Sequence, residues 1–136
     1  MKTQGEIEAA MCSGIAQFEQ EYMGRGPKDI HTYLIDDLIV VRLTNILTAA
    51  ERQLVKSMPS DKGRDLLKQV RTQLLETSRP QLESLIRSIT DAGVISLHHD
   101  ISTVSGEEVI IFSLDQHPVV RDATKRGTRL APPQRS

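Results

Sequence analysis

The stretch "GRGPKDIH", residues 24–31, holds the first residues whose types and spacing bear on chemistry. Gly24, Arg25, Gly26 and Pro27, with Lys28 and His31 just beyond, would let backbone N–H groups and two cations converge on an anion, as nests and glycine loops do. The loop follows a helical pattern and precedes a strand pattern, the reverse of a P-loop or a dinucleotide fingerprint, so neither applies. Helix termination accounts for most of it: Gly24 or Gly26 adopts the left-handed conformation that closes a helix, and Pro27 prevents its resumption. Arg25 is left unexplained, and it joins Lys28, Arg42 and Arg79 as a candidate ligand- or partner-binding residue. Arg79 comes from "ETSRPQLE", where Pro80 removes a backbone donor and frees the carbonyl of Glu76, with Arg79 beside it able to reach a ligand or an acidic partner.

Other reactive side chains form no working set. His98, His99 and Asp100 have the composition of a metal cluster, but adjacent strand residues point to opposite faces, so both histidines cannot ligate one ion without distortion. No metal and no cofactor is called for. Ser13, Ser96, Ser102 and Ser105 lie outside any Gly-x-Ser-x-Gly elbow, and Cys12 sits near an apolar stripe. Asp36 and Asp37 are turn carboxylates before they are an acid–base pair. Nucleophile, base and oxyanion donors cannot be assembled, which argues against an enzyme.

The elements that would position these residues follow from periodicity. Ile7, Met11, Ile15, Phe18 and Tyr22 recur at helical spacing and predict a first helix with one apolar stripe. Roughly His31–Ile35 and Leu38–Leu43 read as a hairpin turning at Asp36-Asp37, its turn type left open. Thr48 with Glu51 matches a capping box for a short helix to about Ser57. Leu67, Val70, Leu74, Leu82, Leu85 and Ile89 continue a stripe toward Gly93, with a bend expected near Ser78–Pro80. Gly93 is expected to supply a left-handed cap. "VISLHHDIS" and "EVIIFSLD" then form a second hairpin with Gly106 in its turn, Ile95, Leu97, His99 and Ile101 sharing one face and Ser96, His98 and Asp100 the other.

The order α-β-β-α-α-β-β implies an α+β fold of two layers, a four-stranded antiparallel sheet made from two hairpins and covered on one face by helices. Leu38–Val41 is apolar at consecutive positions and so is expected to be buried on both sides. With no helix left for the second face, a homodimer interface is expected there. Residues 1–116 form one domain, and residues 117–136, with their prolines and positive excess, are expected to be a mobile basic tail.

Composition narrows the partners. The 136 residues suit one domain with its own core, and a formal net charge of -1 lacks the footprint of a general nucleic-acid binder. Few aromatics argue against base-stacking platforms. One cysteine excludes an internal disulfide and fits a reducing cytoplasm. No apolar run reaches spanning length, so direct membrane insertion is not expected, although docking on a membrane protein is compatible.

"GEIEAAMCSGIAQFEQEYMGRGPKDIHTYLIDDLIVVRLTNILTAAERQL", "QLLETSRPQLESLI" and "VISLHHDISTVSGEEVIIFSLD" resemble the small bacterial MpsC-like proteins, named after a component of a sodium-translocating, membrane-potential-generating system. The likeness covers approximately residues 3–116, with "EYMGRGP", "LTAAE", "RPQLE" and "DIST" in the family's order. It implies association with a membrane machinery for cation flux or inorganic carbon uptake, and no catalytic residue or cofactor. The expected function is a non-catalytic, dimeric adaptor or regulator. The alternative is a regulator that senses a small anion or nucleotide, or binds nucleic acid, through Arg25, Lys28, Arg42 and Arg79 gathered in one pocket. Convergence of these four cations separates the two.

Overall fold

Capping sets where the first helix begins. In the computed structural model, which describes residues 1–58 and 61–121, Thr3 Oγ1 accepts from Glu6 N at 3.1 Å and Glu6 Oε1 accepts from Thr3 N at 2.9 Å. This reciprocal pair starts α1 (Gln4–Tyr22). The helix ends at Met23, and Gly24 takes φ 81°, so Gly24 rather than Gly26 is the left-handed residue of the stop. Ile7, Met11, Ile15 and Phe18 are buried as the stripe predicts, but Tyr22 is exposed and Glu19 takes the buried place beside Phe18.

β1 (Asp29–Ile35) and β2 (Leu38–Thr44) form the first hairpin, two residues longer at its start than expected. Asp36 turns it with φ 55°, a conformation aspartate tolerates better than most residues. The Thr48–Glu51 capping box opens α2 (Ala49–Ser57), with both reciprocal hydrogen bonds formed. The expected bend becomes a break: α3 (Lys62–Thr77) stops, and α4 (Arg79–Thr90) restarts with Pro80 in its first turn, where a missing donor costs least.

Three expectations are corrected here. Val70 and Leu74 do not continue the buried stripe of α3; they are exposed, and Arg71 is buried with Leu67 and Leu75 instead. Gly93 is not left-handed, because Asp91 closes α4 with φ 64°. A Cβ on Gly93 would lie 2.6 Å from Arg87 Nη2 and 2.8 Å from Asp115 Oδ2, the tips of two side chains that would have to shift. In β3 (Val94–Ile101), a register shift between Val94 and Ser96 turns Ile95 outward, 63% exposed, while Leu97, His99 and Ile101 keep to the inner side.

β4 (Glu108–Leu114) pairs with both β2 and β3, so the four antiparallel strands lie in the order β1-β2-β4-β3. Gly106 turns the second hairpin with φ 76°. The core lies between the inner face (Leu34, Ile39, Val41, Leu43, Ile110, Phe112, Leu114) and α1, α3 and α4. The fold is α+β, as expected. Of the segment expected to begin the tail, Pro118 is buried and Arg121 returns to the start of α1, its N–H donating to Lys2 O at 2.8 Å. The rest of that segment, 122–136, lies outside the described residues.

Candidate functional site

Strand alternation decides what the sheet shows to the outside. On β1 and β2 the residues alternating with the core set are Tyr33, Ile35, Leu38, Val40 and Arg42; on β4 they are Val109, Ile111 and Ser113. Tyr33 is 45% and Ile35 49% exposed, and Leu38, Val40, Val109 and Ile111 are half-buried by their neighbours alone. No described helix covers this face. The consecutive apolar residues of β2 therefore divide between a packed inner face and an open outer one, a contiguous apolar patch larger than scattered surface residues account for.

The four candidate cations are spread out. Arg25 Nε donates to the carbonyl of Asn45 at 3.2 Å, tying the glycine loop to a residue held at φ 53°. Its cavity, about 520 Å³, is lined by Gln20, Gly24, Arg25, Gly26, Pro27, Thr48 and Ala49, and takes in none of the other three cations. Lys28 is exposed, its backbone N–H donating to Thr44 O. Arg42 stands on the outer sheet face, paired with Glu107, whose carboxylate raises the guanidinium pKa. Arg79 pairs with Glu83 at 2.6 Å and donates to Ile95 O at 3.4 Å, on the far edge of the sheet from β1.

A second set of charged groups is buried. Arg71 on α3 places Nη2 3.0 Å from Glu51 Oε1 and 3.2 Å from Ile46 O, and Nη1 3.5 Å from Glu19 Oε1 and 3.6 Å from Glu108 Oε1. His99 Nε2 lies 2.6 Å from Glu108 Oε2. α1, α2, α3, β3 and β4 thus each contribute one charged or titratable side chain to one point in the core. Burial, then the neighbouring Glu108 carboxylate, push the Glu19 carboxyl up to about 8, and Arg71 offsets this only partly. Desolvation acts to lower the Arg71 pKa, but its hydrogen bond to Glu51 and the carboxylates of Glu108, Glu51 and Glu19 outweigh it and hold the guanidinium above its ordinary value. Glu51 is shared between this cluster and the α2 capping box.

Sequence reading passed over Glu19, Arg71 and Glu108. The available signal was their register: each is a charged residue at a position where the helical or alternating period calls for an apolar one. His98 and His99 do lie on opposite faces, His98 exposed and His99 turned inward. Among the described residues, no three of His, Cys, Asp or Glu are placed to hold a metal ion, and no helix is long and apolar enough to cross a membrane.

Residues 3–116 match the family described as Na+-translocating membrane potential-generating system (MpsC). The chain is also 37% identical over 113 residues to "Uncharacterized protein YbcI" of Bacillus subtilis (strain 168), covering 83% of this chain and 89% of that protein. No solved structure matches it. With the match spanning both hairpins and the helices between them, the chain belongs to the MpsC family.

Proposed function

We propose that this protein is a non-catalytic, dimeric adaptor or regulator that works by binding, in the service of a membrane cation-flux or inorganic carbon uptake system. The observation that carries the proposal is the open apolar sheet face: Tyr33, Ile35, Leu38, Val40, Val109 and Ile111 form a surface suited to a protein partner. The scatter of Arg25, Lys28, Arg42 and Arg79 weighs against the anion- or nucleotide-sensing reading, because a sensor needs convergent cations. The membrane link comes from the family description.

A photo-crosslinking residue at Ile111, compared with one at exposed Gln53 on α2, tests the proposal in the native host. The expected outcome is a dimer adduct, together with an adduct to a subunit of a membrane cation transporter, from position 111 and not from position 53. Adducts only to soluble enzymes, or equal labelling at both positions, would overturn it.

A further inference from the structure

The manner in which a second copy binds follows from the edges and the rows of the sheet, and it rests on the dimeric reading above. Sheets associate by adding a strand to an edge or by packing face on face. The β1 edge is covered and the β3 edge is interrupted near its start. Along β1, Leu34 N–H donates to Glu8 Oε2 at 2.8 Å, Leu34 O accepts from Gln4 Nε2 at 3.1 Å, and Ile30 O accepts from Cys12 Sγ at 3.7 Å. Gln4, Glu8 and Cys12 recur every four residues on one side of α1, so the helix caps the strand edge. Along β3, the irregularity at Ile95 breaks the ladder, the Ile95 carbonyl accepts from Arg79, and Lys68 sits 2.9 Å from Asp100.

The face remains, and its residues form three rows across the strands. They are His31–Arg42–Val109–Asp100, Tyr33–Val40–Ile111–His98 and Ile35–Leu38–Ser113–Ser96. The first row carries the charged side chains, with Arg42 paired to Glu107 and Asp100 to Lys68, and the second is apolar at its centre. We infer that two copies pack these faces together about a two-fold axis parallel to the strands and midway between β2 and β4. Each row then meets its own row reversed. His31 faces Asp100 of the second copy, Tyr33 faces its His98, and Val40 faces its Ile111.

A two-fold axis across the strands would instead lay His31 and Arg42 over Ile35 and Leu38, burying charge against apolar side chains. The strand-parallel axis lays the polar first row on itself, with His31 beside Asp100, and keeps the apolar centre together. Four strands about 4.8 Å apart, each about seven residues long at about 3.4 Å per residue, give a flat footprint of roughly 450 Å² per copy. The pair covers about 900 Å² before side-chain relief is added, below the roughly 1,200 Å² at which stable interfaces begin, so the dimer should be weak and reversible.

Sedimentation equilibrium with Val40→Glu, alongside circular dichroism to check its fold, is the first test. The wild-type chain should be a reversible dimer and the variant a folded monomer, because Val40 faces away from the core. A second test does not depend on that variant folding. Tyr33→Cys and His98→Cys, each combined with Cys12→Ser, are treated with a short bismaleimide separately and as a mixture. Covalent dimer from the mixture and from neither variant alone supports the packing, since β1 lies over β3 of the second copy and not over its own equivalent. Covalent dimer from Tyr33→Cys alone, or a wild-type dimer that survives Val40→Glu, would overturn the packing while leaving a dimeric adaptor standing. A wild-type monomer at about 100 µM, well above the micromolar range of weak dimers, would overturn both this packing and the dimeric part of the proposed function.

Discussion

Arg71 Nη1 lies 3.5 Å from Glu19 Oε1 with both side chains almost wholly excluded from solvent, so a guanidinium of α3 and a carboxyl of α1 meet inside the core. Glu51 and Glu108 approach the same guanidinium from α2 and β4. Removing one member of such a buried set leaves the others uncompensated. Arg71→Ala should therefore cost about 3–5 kcal/mol, read as a lower urea midpoint. Adding Glu19→Gln and Glu108→Gln to Arg71→Ala should return part of that loss; no recovery would mean that packing of the arginine stem, and not charge, dominates.

The raised Glu19 pKa has a definite sign. A carboxyl that moves from 4.5 unfolded to about 8 folded binds its proton more tightly in the native state. Its contribution is complete below about pH 4.5 and is lost as pH rises through about 8. The groups facing it are Glu108, Arg71 and Glu51, with His99 paired to Glu108 behind them. Urea unfolding from pH 5 to 8.5 should show stability falling with pH, and Glu19→Gln should flatten the slope. The lowered pKa values of Asp100, held by Lys68, and Glu6, held by the Thr3 backbone, act in the opposite direction and only in acid, so the windows separate. Equal slopes in the two proteins would show that Glu19 titrates normally.

The two loop glycines should behave differently. Gly24 has φ 81°, so Gly24→Ala forces a side chain into the left-handed region at about 1 kcal/mol or more, seen as a drop in melting temperature. Gly26→Ala should be milder, since its Cβ would meet only the tip of Gln20 at 3.3 Å. Similar melts for both variants would refute the assignment of Gly24 as the helix stop.

Gly63 reverses the usual helix rule. An exposed helical Gly→Ala change gains about 1 kcal/mol from propensity. Here the new Cβ would lie 2.9 Å from Leu54 O and 2.9 Å from Val55 Cα, both backbone atoms of α2. Gly63→Ala should therefore destabilise by about 1–3 kcal/mol, measured by chemical denaturation; a stabilised variant would mean that α2 moves away easily.

Local signals carried most of the fold because their causes are local. Thr48 and Glu51 satisfy backbone donors within one turn, Gly24 and Pro27 end a helix through their own dihedral limits, and Pro80 interrupts one for lack of an N–H. β-Branched, apolar runs broken at Asp36-Asp37 and around Gly106 identified two hairpins for the same reason. The α+β class and an interruption near Pro80, though as a bend rather than the break observed, were thus legible before any packing was considered.

Packing decided the rest. Whether Val70 or Arg71 faces the core depends on the charges that four other elements bring to that point, and no window of α3 contains Glu19, Glu51, Glu108 or His99. The outward turn of Ile95 came from a register shift against β4, and α4 closed on a left-handed Asp91 rather than on a glycine. Arg25, Lys28, Arg42 and Arg79 look alike in sequence, yet their separate partners are set by tertiary contacts. Sequence alone determined which segments become helices and strands; the tertiary structure decided which of their side chains meet, because burial and charge pairing join residues far apart in the chain.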